Sequence, residues 1–207
     1  MKLTLYMTEY MGFEAASALI ATLPDASRER LSRCADRADK VTGELLKLRI
    51  LSDCGGGEIC LGESGKPYIA GRDDVAFNIS HSGKLAVGAL IMGDETGIDV
   101  GVDVERIDRE NESRHDKIAG RFFTDAERGR IRESADPVCE FYLTWTRKEA
   151  YLKYTGDGIT RSLTDIDTTA LPDVAFDSRV ISDSAGCEYA FSVCTPCGVG
   201  NIAIEKI

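Results

Sequence analysis

The chain has 207 residues, 43 % hydrophobic and 29 % charged, with a formal net charge of −10. That length supports one large domain or two small ones. The charge argues against broad nucleic-acid binding, and no apolar window approaches the length that spans a bilayer.

The N-terminal stretch is interrupted by Glu9 and Glu14 and reads as a strand and a helix start, not a secretory signal. Residues 3–7 (LTLYM) predict a short strand. From Pro24 to about Ser52 the chain is helix-rich, with Asp25 or Ser27 as a cap and Leu45, Leu46, Ile50 and Leu51 as a later apolar face. A glycine break (CGGGEI) and a loop at 62–69 lead to apolar runs at 75–80 and 85–91, which flank a Ser-Gly turn and predict a β-hairpin. A GDETG turn delivers a third strand, IDVGVDVE, at 98–105. Residues 106–120 are polar, a loop with a helical piece. A helix capped by Thr124 or Asp125 follows, and after Asp136-Pro137 a longer one runs to about Tyr154 and stops at Gly156. From Ile159 onward the chain returns to short strands.

The two halves echo each other. VAFNISHSGKLAVGAL (75–90) resembles YAFSVCTPCGVGNIAI (189–204), with Phe77 and Phe191 separated by 114 positions. The expectation is an α+β fold built as a tandem pseudo-twofold repeat, with halves 1–101 and 102–207 and the site between them. The seven cysteines are scattered, and the one close pair, Cys194 and Cys197, reads as a hairpin turn carrying two thiols and not a zinc or redox centre. A reducing cytosol is the natural compartment for such a set.

Two charged constellations carry chemistry. In WTRKEAYLK (145–153), Trp145, Glu149 and Lys153 are four residues apart and share one helix face. In GVDVERID (101–108), Asp103 and Glu105 alternate with valines, so both carboxylates leave one side of a strand. Like charges on a half-buried face are unfavourable unless a cation or donor compensates. They are either a solvated acidic edge or, together with Glu149, a Mg²⁺ site of the kind that leaves positions for phosphate and water. Asp99 shares the strand face and reads as a neighbour of that site. Ser80, His81 and Ser82 lack the G-x-S-x-G elbow of a hydrolase and suit an anion better. Lys66 is held extended before Pro67 in a glycine loop. Trp145, Phe122 and Phe123 read as core.

Taken together, GKP at 65–67, FNISHS at 77–82, GVDVE at 101–105, RFF at 121–123 and WTRKEAYLK at 145–153 resemble the 4′-phosphopantetheinyl transferases, in the order and spacing of the Sfp-like branch, whose single chain folds as two similar halves. The resemblance implies a transferase that moves the phosphopantetheine arm of coenzyme A onto a serine of an apo acyl or peptidyl carrier protein and releases adenosine 3′,5′-bisphosphate. It implies Mg²⁺ on Asp103, Glu105 and Glu149, with Lys153 on the pyrophosphate, Ser80 and His81 on phosphate, and Lys66 and Pro67 along the nucleotide. The family's first helix supplies cations to the 3′-phosphate; among Arg28, Arg30, Arg33, Arg37 and Lys40 the order of preference here is Arg33, Arg37, Lys40. Glu149, directly or through water, is the expected base and Lys153 the expected partner of the leaving diphosphate. Region 106–132, with Arg114, Lys117, Arg121 and Arg128, is the expected docking face for an acidic carrier. A cytoplasmic monomer serving secondary-metabolite synthases completes the expectation. The rival readings are a Mg²⁺-dependent nucleotide pyrophosphate hydrolase and a non-catalytic coenzyme A-binding module.

Overall fold

A computed structural model describes residues 1–10, 18, 20, 21, 23, 25–32, 38–158, 162–199 and 201–206. In chain order the elements are β1 (Lys2–Glu9), α1 (Asp25–Ser32), α2 (Ala38–Asp53), β2 (Ile59–Leu61), β3 (Pro67–Ile69), β4 (Val75–Ser82), β5 (Leu85–Met92), β6 (Gly101–Arg106), α3 (Glu112–Phe122), α4 (Asp125–Glu133), α5 (Pro137–Thr155), β7 (Val174–Ser182), β8 (Glu188–Pro196) and β9 (Asn201–Lys206). The fold is mixed α+β, as expected. No helix among the described residues is long and apolar enough to cross a membrane.

The strands form a four-stranded sheet, β4-β5-β1-β9, a three-stranded sheet, β6-β8-β7, and the small β2-β3 pair. Helix α2 packs on β4, β5 and β1, and α5 packs on β6, β8 and β7. The reason is visible residue by residue. Leu85, Val87, Ala89 and Ile91 of β5 join Leu3 and Leu5 of β1 in a core that they share with Val102 and Val104 of β6 and Phe191 and Val193 of β8. The alternate residues Tyr6, Ala86 and Leu90 turn the other way, under Leu46 and Ile50 of α2. Strand β5 is therefore covered on both faces, and its run of apolar residues does not alternate.

The hairpin predicted at 75–91 is present, closed by a two-residue turn in which Gly83 takes φ 56°. Two other expectations are corrected. The third strand begins at Gly101, not Ile98: the Val100 amide donates to the Asp99 carboxylate at 2.7 Å and not to a neighbouring strand, and Asp99 pairs with Lys66. Residues 189–204 are also not a second hairpin. Strand β8 pairs with β6 and β7, whereas β9 crosses to the first sheet and runs parallel to β1. The Cys194–Cys197 segment is thus the exit from β8 towards another sheet; Cys194 is a buried free thiol and Cys197 an exposed one.

Local signals place α5. The Asp136 side chain accepts the Cys139 amide, Pro137 occupies the first turn, and Gly156 ends the helix at φ 72°. The helix lies so close to β6 that a methyl group on Gly101 would overlap the Ala150 carbonyl oxygen and the Tyr154 amide nitrogen. The face of β6 carrying Gly101, Asp103 and Glu105 is therefore the face turned towards α5.

Candidate active site

The site is built where the edge strands of the two sheets meet. Asn78, Ser80 and Ser82 alternate along β4, so their side chains leave one face. All three bond to β6. Asn78 Oδ1 accepts the Val102 amide at 3.1 Å, Ser80 Oγ donates to Asp103 Oδ1 at 2.8 Å, and Ser82 Oγ donates to Glu105 Oε2 at 2.8 Å and accepts the Arg106 amide at 3.0 Å. The seam between the sheets is a row of side chains in place of a backbone ladder.

Lys153 enters this seam from α5. Its ammonium donates to Asp103 Oδ1 at 2.6 Å, to Ser80 Oγ at 2.9 Å and to the Val102 carbonyl at 3.2 Å, using its three hydrogens. Asp103 is 4 % exposed, and its second oxygen, Oδ2, is buried with no hydrogen-bond partner. Burial pushes the Asp103 carboxyl above its usual range, against the pull of Lys153 and Ser80. Glu105 is raised by burial and then by the charge of Asp103. Glu149 is raised by the same two causes in the same order, with a smaller push from Glu105. The charge of Asp103 thus bears on both Glu105 and Glu149. Among the described residues, however, no three His, Cys, Asp or Glu side chains are gathered closely enough to hold a metal ion as they stand.

A cleft of about 320 Å³ opens beside them, walled by the 64–67 loop, by Asn78 and Ile79, and by Glu149, Leu152, Lys153 and Gly156 of α5. The Glu149 side chain makes no hydrogen bond to a described residue. The 62–66 loop is tightened by the Gly65 amide on the Gly62 carbonyl at 2.9 Å and by Gly65 at φ 82°. It delivers Lys66 and Pro67 to the cleft wall. The Lys66 ammonium donates to the Tyr154 carbonyl at 2.6 Å and forms an ion pair with Asp99. Asp99, expected beside the carboxylate cluster, instead faces this lysine.

Other expected residues scatter. Strand alternation sends Ser80 into the seam but His81 to the opposite, exposed face, where its ring meets that of Tyr10 edge-on at 6.4 Å. Lys40 is exposed in the first turn of α2 and is not among the described residues that line the cleft; Arg28 is paired with Asp25 on its own helix. Arg33 and Arg37 lie outside the described residues. Trp145 anchors α5 against Phe122 and Phe123, at centroid distances of 6.0 and 6.3 Å. Arg114, Lys117 and Arg121 are exposed along one side of α3, whereas Arg128 is held by the Phe123 carbonyl at 2.6 Å and by Asp125.

One residue of the WTRKEAYLK stretch escaped sequence reasoning. Lys148 is fully buried, 2.8 Å from the equally buried Glu127, and donates to the carbonyls of Leu163, at 2.7 Å, and Ile166. Glu127 in turn accepts from Thr124 N, as the partner of the Thr124 capping box, and from Thr168 N and Oγ1. Burial lowers the Lys148 pKa against the pull of Glu127. The signal available was the T-x-x-E capping box, which fixes where Glu127 stands.

Comparison with known proteins bears on this geometry. A sequence profile of the 4′-phosphopantetheinyl transferase superfamily matches residues 99–204, which include β6 and α5. The chain is 33 % identical over 177 residues to the 4′-phosphopantetheinyl transferase AcpT of Salmonella typhi, covering 84 % of each chain. It is 30 % identical over 143 residues to a 4′-phosphopantetheinyl transferase of Bacillus subtilis, covering 64 % of this chain and 60 % of that one. Over 113 residues it is 36 % identical to the transferase HetI of a Nostoc species, with coverage of 52 % and 45 %.

Proposed function

Because the chain belongs to the 4′-phosphopantetheinyl transferase superfamily, we propose that it transfers the phosphopantetheine arm of coenzyme A to a serine of an apo acyl or peptidyl carrier protein, releasing adenosine 3′,5′-bisphosphate. The observation that carries this reading is that Lys153, paired with Asp103 of β6, and Glu149 line the same cleft as Lys66.

Coenzyme A lies in that cleft with its charged groups towards Lys66 and Lys153. The serine hydroxyl of the carrier approaches Glu149, which takes its proton; the carboxylate raised by burial is a better base than an ordinary one. The serine oxygen bonds to the phosphorus that carries the pantetheine arm, and the bond from that phosphorus to the bridging oxygen breaks. Lys153 steadies the charge gathering on the departing phosphate. Asp103, Glu105 and Glu149 would hold a Mg²⁺ ion: Asp103 Oδ1 is taken by Ser80 and Lys153, but Oδ2 is buried and unpartnered, which is the condition a cation relieves. Such an ion supplies neutralisation of negative charge on the pyrophosphate. Ser80 and His81 remain our candidates for phosphate contact, and Arg33, Arg37 and Lys40 for the 3′-phosphate.

We read the chain as two similar halves, 1–101 and 102–207. The orders β4-β5-β1 and β7-β8-β6 support this, since in each a first strand pairs with the second strand of a later hairpin beneath one helix. The correspondence then matches β5 with β8. The exposed cations Arg114, Lys117 and Arg121 on α3 support docking of an acidic carrier there, on a protein whose net charge of −10 otherwise repels it. A cytoplasmic setting is supported by the free thiols, a monomer by the internal pairing of halves, and service to secondary-metabolite synthases by the Sfp-like spacing of the motifs.

Incubation with Mg²⁺, coenzyme A and a panel of apo carrier proteins tests the proposal. Mass spectrometry should find the arm added to a carrier serine. Unmodified carriers throughout would overturn it, and consumption of coenzyme A without any carrier would point to hydrolysis instead.

A further inference from the structure

We infer that Asp99 is a positioning residue for the donor: it holds the Lys66 ammonium at the cleft wall so that the lysine presents a hydrogen to an anionic group of the nucleotide. The inference rests on the reading that coenzyme A is the donor.

Asp99 is itself fixed, since its carboxylate accepts the amide of Val100 at 2.7 Å just before β6 begins. From there it forms an ion pair with Lys66, whose side chain is 17 % exposed. The second anchor is the Tyr154 carbonyl, 2.6 Å away near the C-terminal end of α5, where unsatisfied carbonyls favour a cation. An ammonium has three hydrogens. Two are directed at Asp99 and Tyr154, which leaves one for the cleft that Lys66 shares with Glu149 and Lys153.

Asp99 also decides whether Lys66 is useful as a cation. Burial lowers the lysine pKa, and the Asp99 charge is the largest effect opposing it. The other groups facing this lysine are the Cys194 thiol on β8 and the Tyr154 ring, 5.9 Å away, neither of which replaces a carboxylate. Without Asp99 the ammonium is left with a single carbonyl in a poorly solvated place, where an unpaired charge is unfavourable. The residue that reads as a neighbour of the carboxylate cluster therefore serves the lysine of the 64–67 loop.

The test is calorimetric titration of coenzyme A, in magnesium-containing buffer, into the wild-type protein and the variants Asp99→Asn, Lys66→Met and the double variant. Asp99→Asn should weaken binding by about tenfold, the order expected for loss of one charge-assisted hydrogen bond. Adding it to Lys66→Met should change nothing further. In steady-state assays, KM for coenzyme A should rise while kcat stays within about twofold, since only binding energy common to ground and transition states is lost. Should Asp99→Asn fail to fold by circular dichroism, Asp99→Ser tests the same point. Unchanged binding by Asp99→Asn, or an equal loss in the Lys66→Met background, overturns the inference and leaves the transferase reading intact. Failure of the wild-type protein to bind coenzyme A at all removes both.

Discussion

Lys153 and Asp103 meet at 2.6 Å through Asp103 Oδ1, while Asp103 Oδ2 is buried and unpartnered. One carboxylate is thus divided between two tasks. One oxygen is locked to the helix and to β4, and the other is bonded by no described residue.

A divalent cation should therefore stabilise the fold through Asp103. At a hundredfold excess over its dissociation constant, Mg²⁺ should add about 2.7 kcal/mol. Thermal unfolding with Mg²⁺ and with a chelator measures this, and Asp103→Asn should abolish the difference. Identical melting of the wild-type protein under both conditions would argue against a cation there.

Glu149→Gln should lower kcat for carrier modification by at least about a hundredfold, the scale of a lost general base, with the circular dichroism spectrum retained. Near-wild-type turnover would remove Glu149 from the role of base.

The same variant should be more stable than wild type at neutral pH in chelator. The Glu149 carboxyl is raised in the folded protein by burial and by Asp103, so the neutral form favours folding. That advantage is fully present below the unfolded-state value and is lost as pH rises through the folded-state value. Urea midpoints of wild type and Glu149→Gln should coincide in acid and then separate as pH increases, with the variant higher. A wild type that gains on the variant as pH rises would contradict the assigned environment.

Lys148→Met should destabilise the protein by about 3–5 kcal/mol, because it leaves the Glu127 charge buried without its partner. Equilibrium urea denaturation checks this. A loss below about 1 kcal/mol, the range of an exposed pair, would mean that the pair is not sealed from water.

Gly101→Ala should cost about 1–3 kcal/mol or more, as overpacking does, and should reduce transfer as well. The added methyl meets the α5 backbone at Ala150 and Tyr154, on either side of Lys153 and one residue from Glu149. Unfolding midpoints and kcat measured together test it; wild-type values for both would mean that helix and strand are not so closely apposed.

Much of the fold is legible because its signals are local. Asp136, Pro137 and Gly156 mark the ends of α5, Thr124 and Glu127 open α4, and Gly83 closes the β4–β5 hairpin. The positions of Asp103 and Glu105 on one face follow from strand alternation, and Trp145 from helix periodicity. What stays hidden is choice of partner. Nothing within residues 98–105 reveals that Asp99 will turn to a lysine in another loop. Residues 189–204 contain two strand-like runs around a turn, and only the pairing surfaces offered by β1, β6 and β7 separate them. Lys148 resembles any polar position on an amphipathic helix until α4 and residues 163–168 enclose it. His81 shares its motif with Ser80, yet alternation places it across the strand.

The parallel pairing of β1 with β9, Lys2 against Asn201, has a consequence for biosynthesis. In chain order β1 leaves the ribosome before β5, which can join it early. Its other neighbour, however, is not made until β6, α5 and β8 have already emerged. The first sheet waits with the β1 edge open while β6 to β8 are translated, so the order of synthesis exposes β1 to foreign strands for as long as that takes.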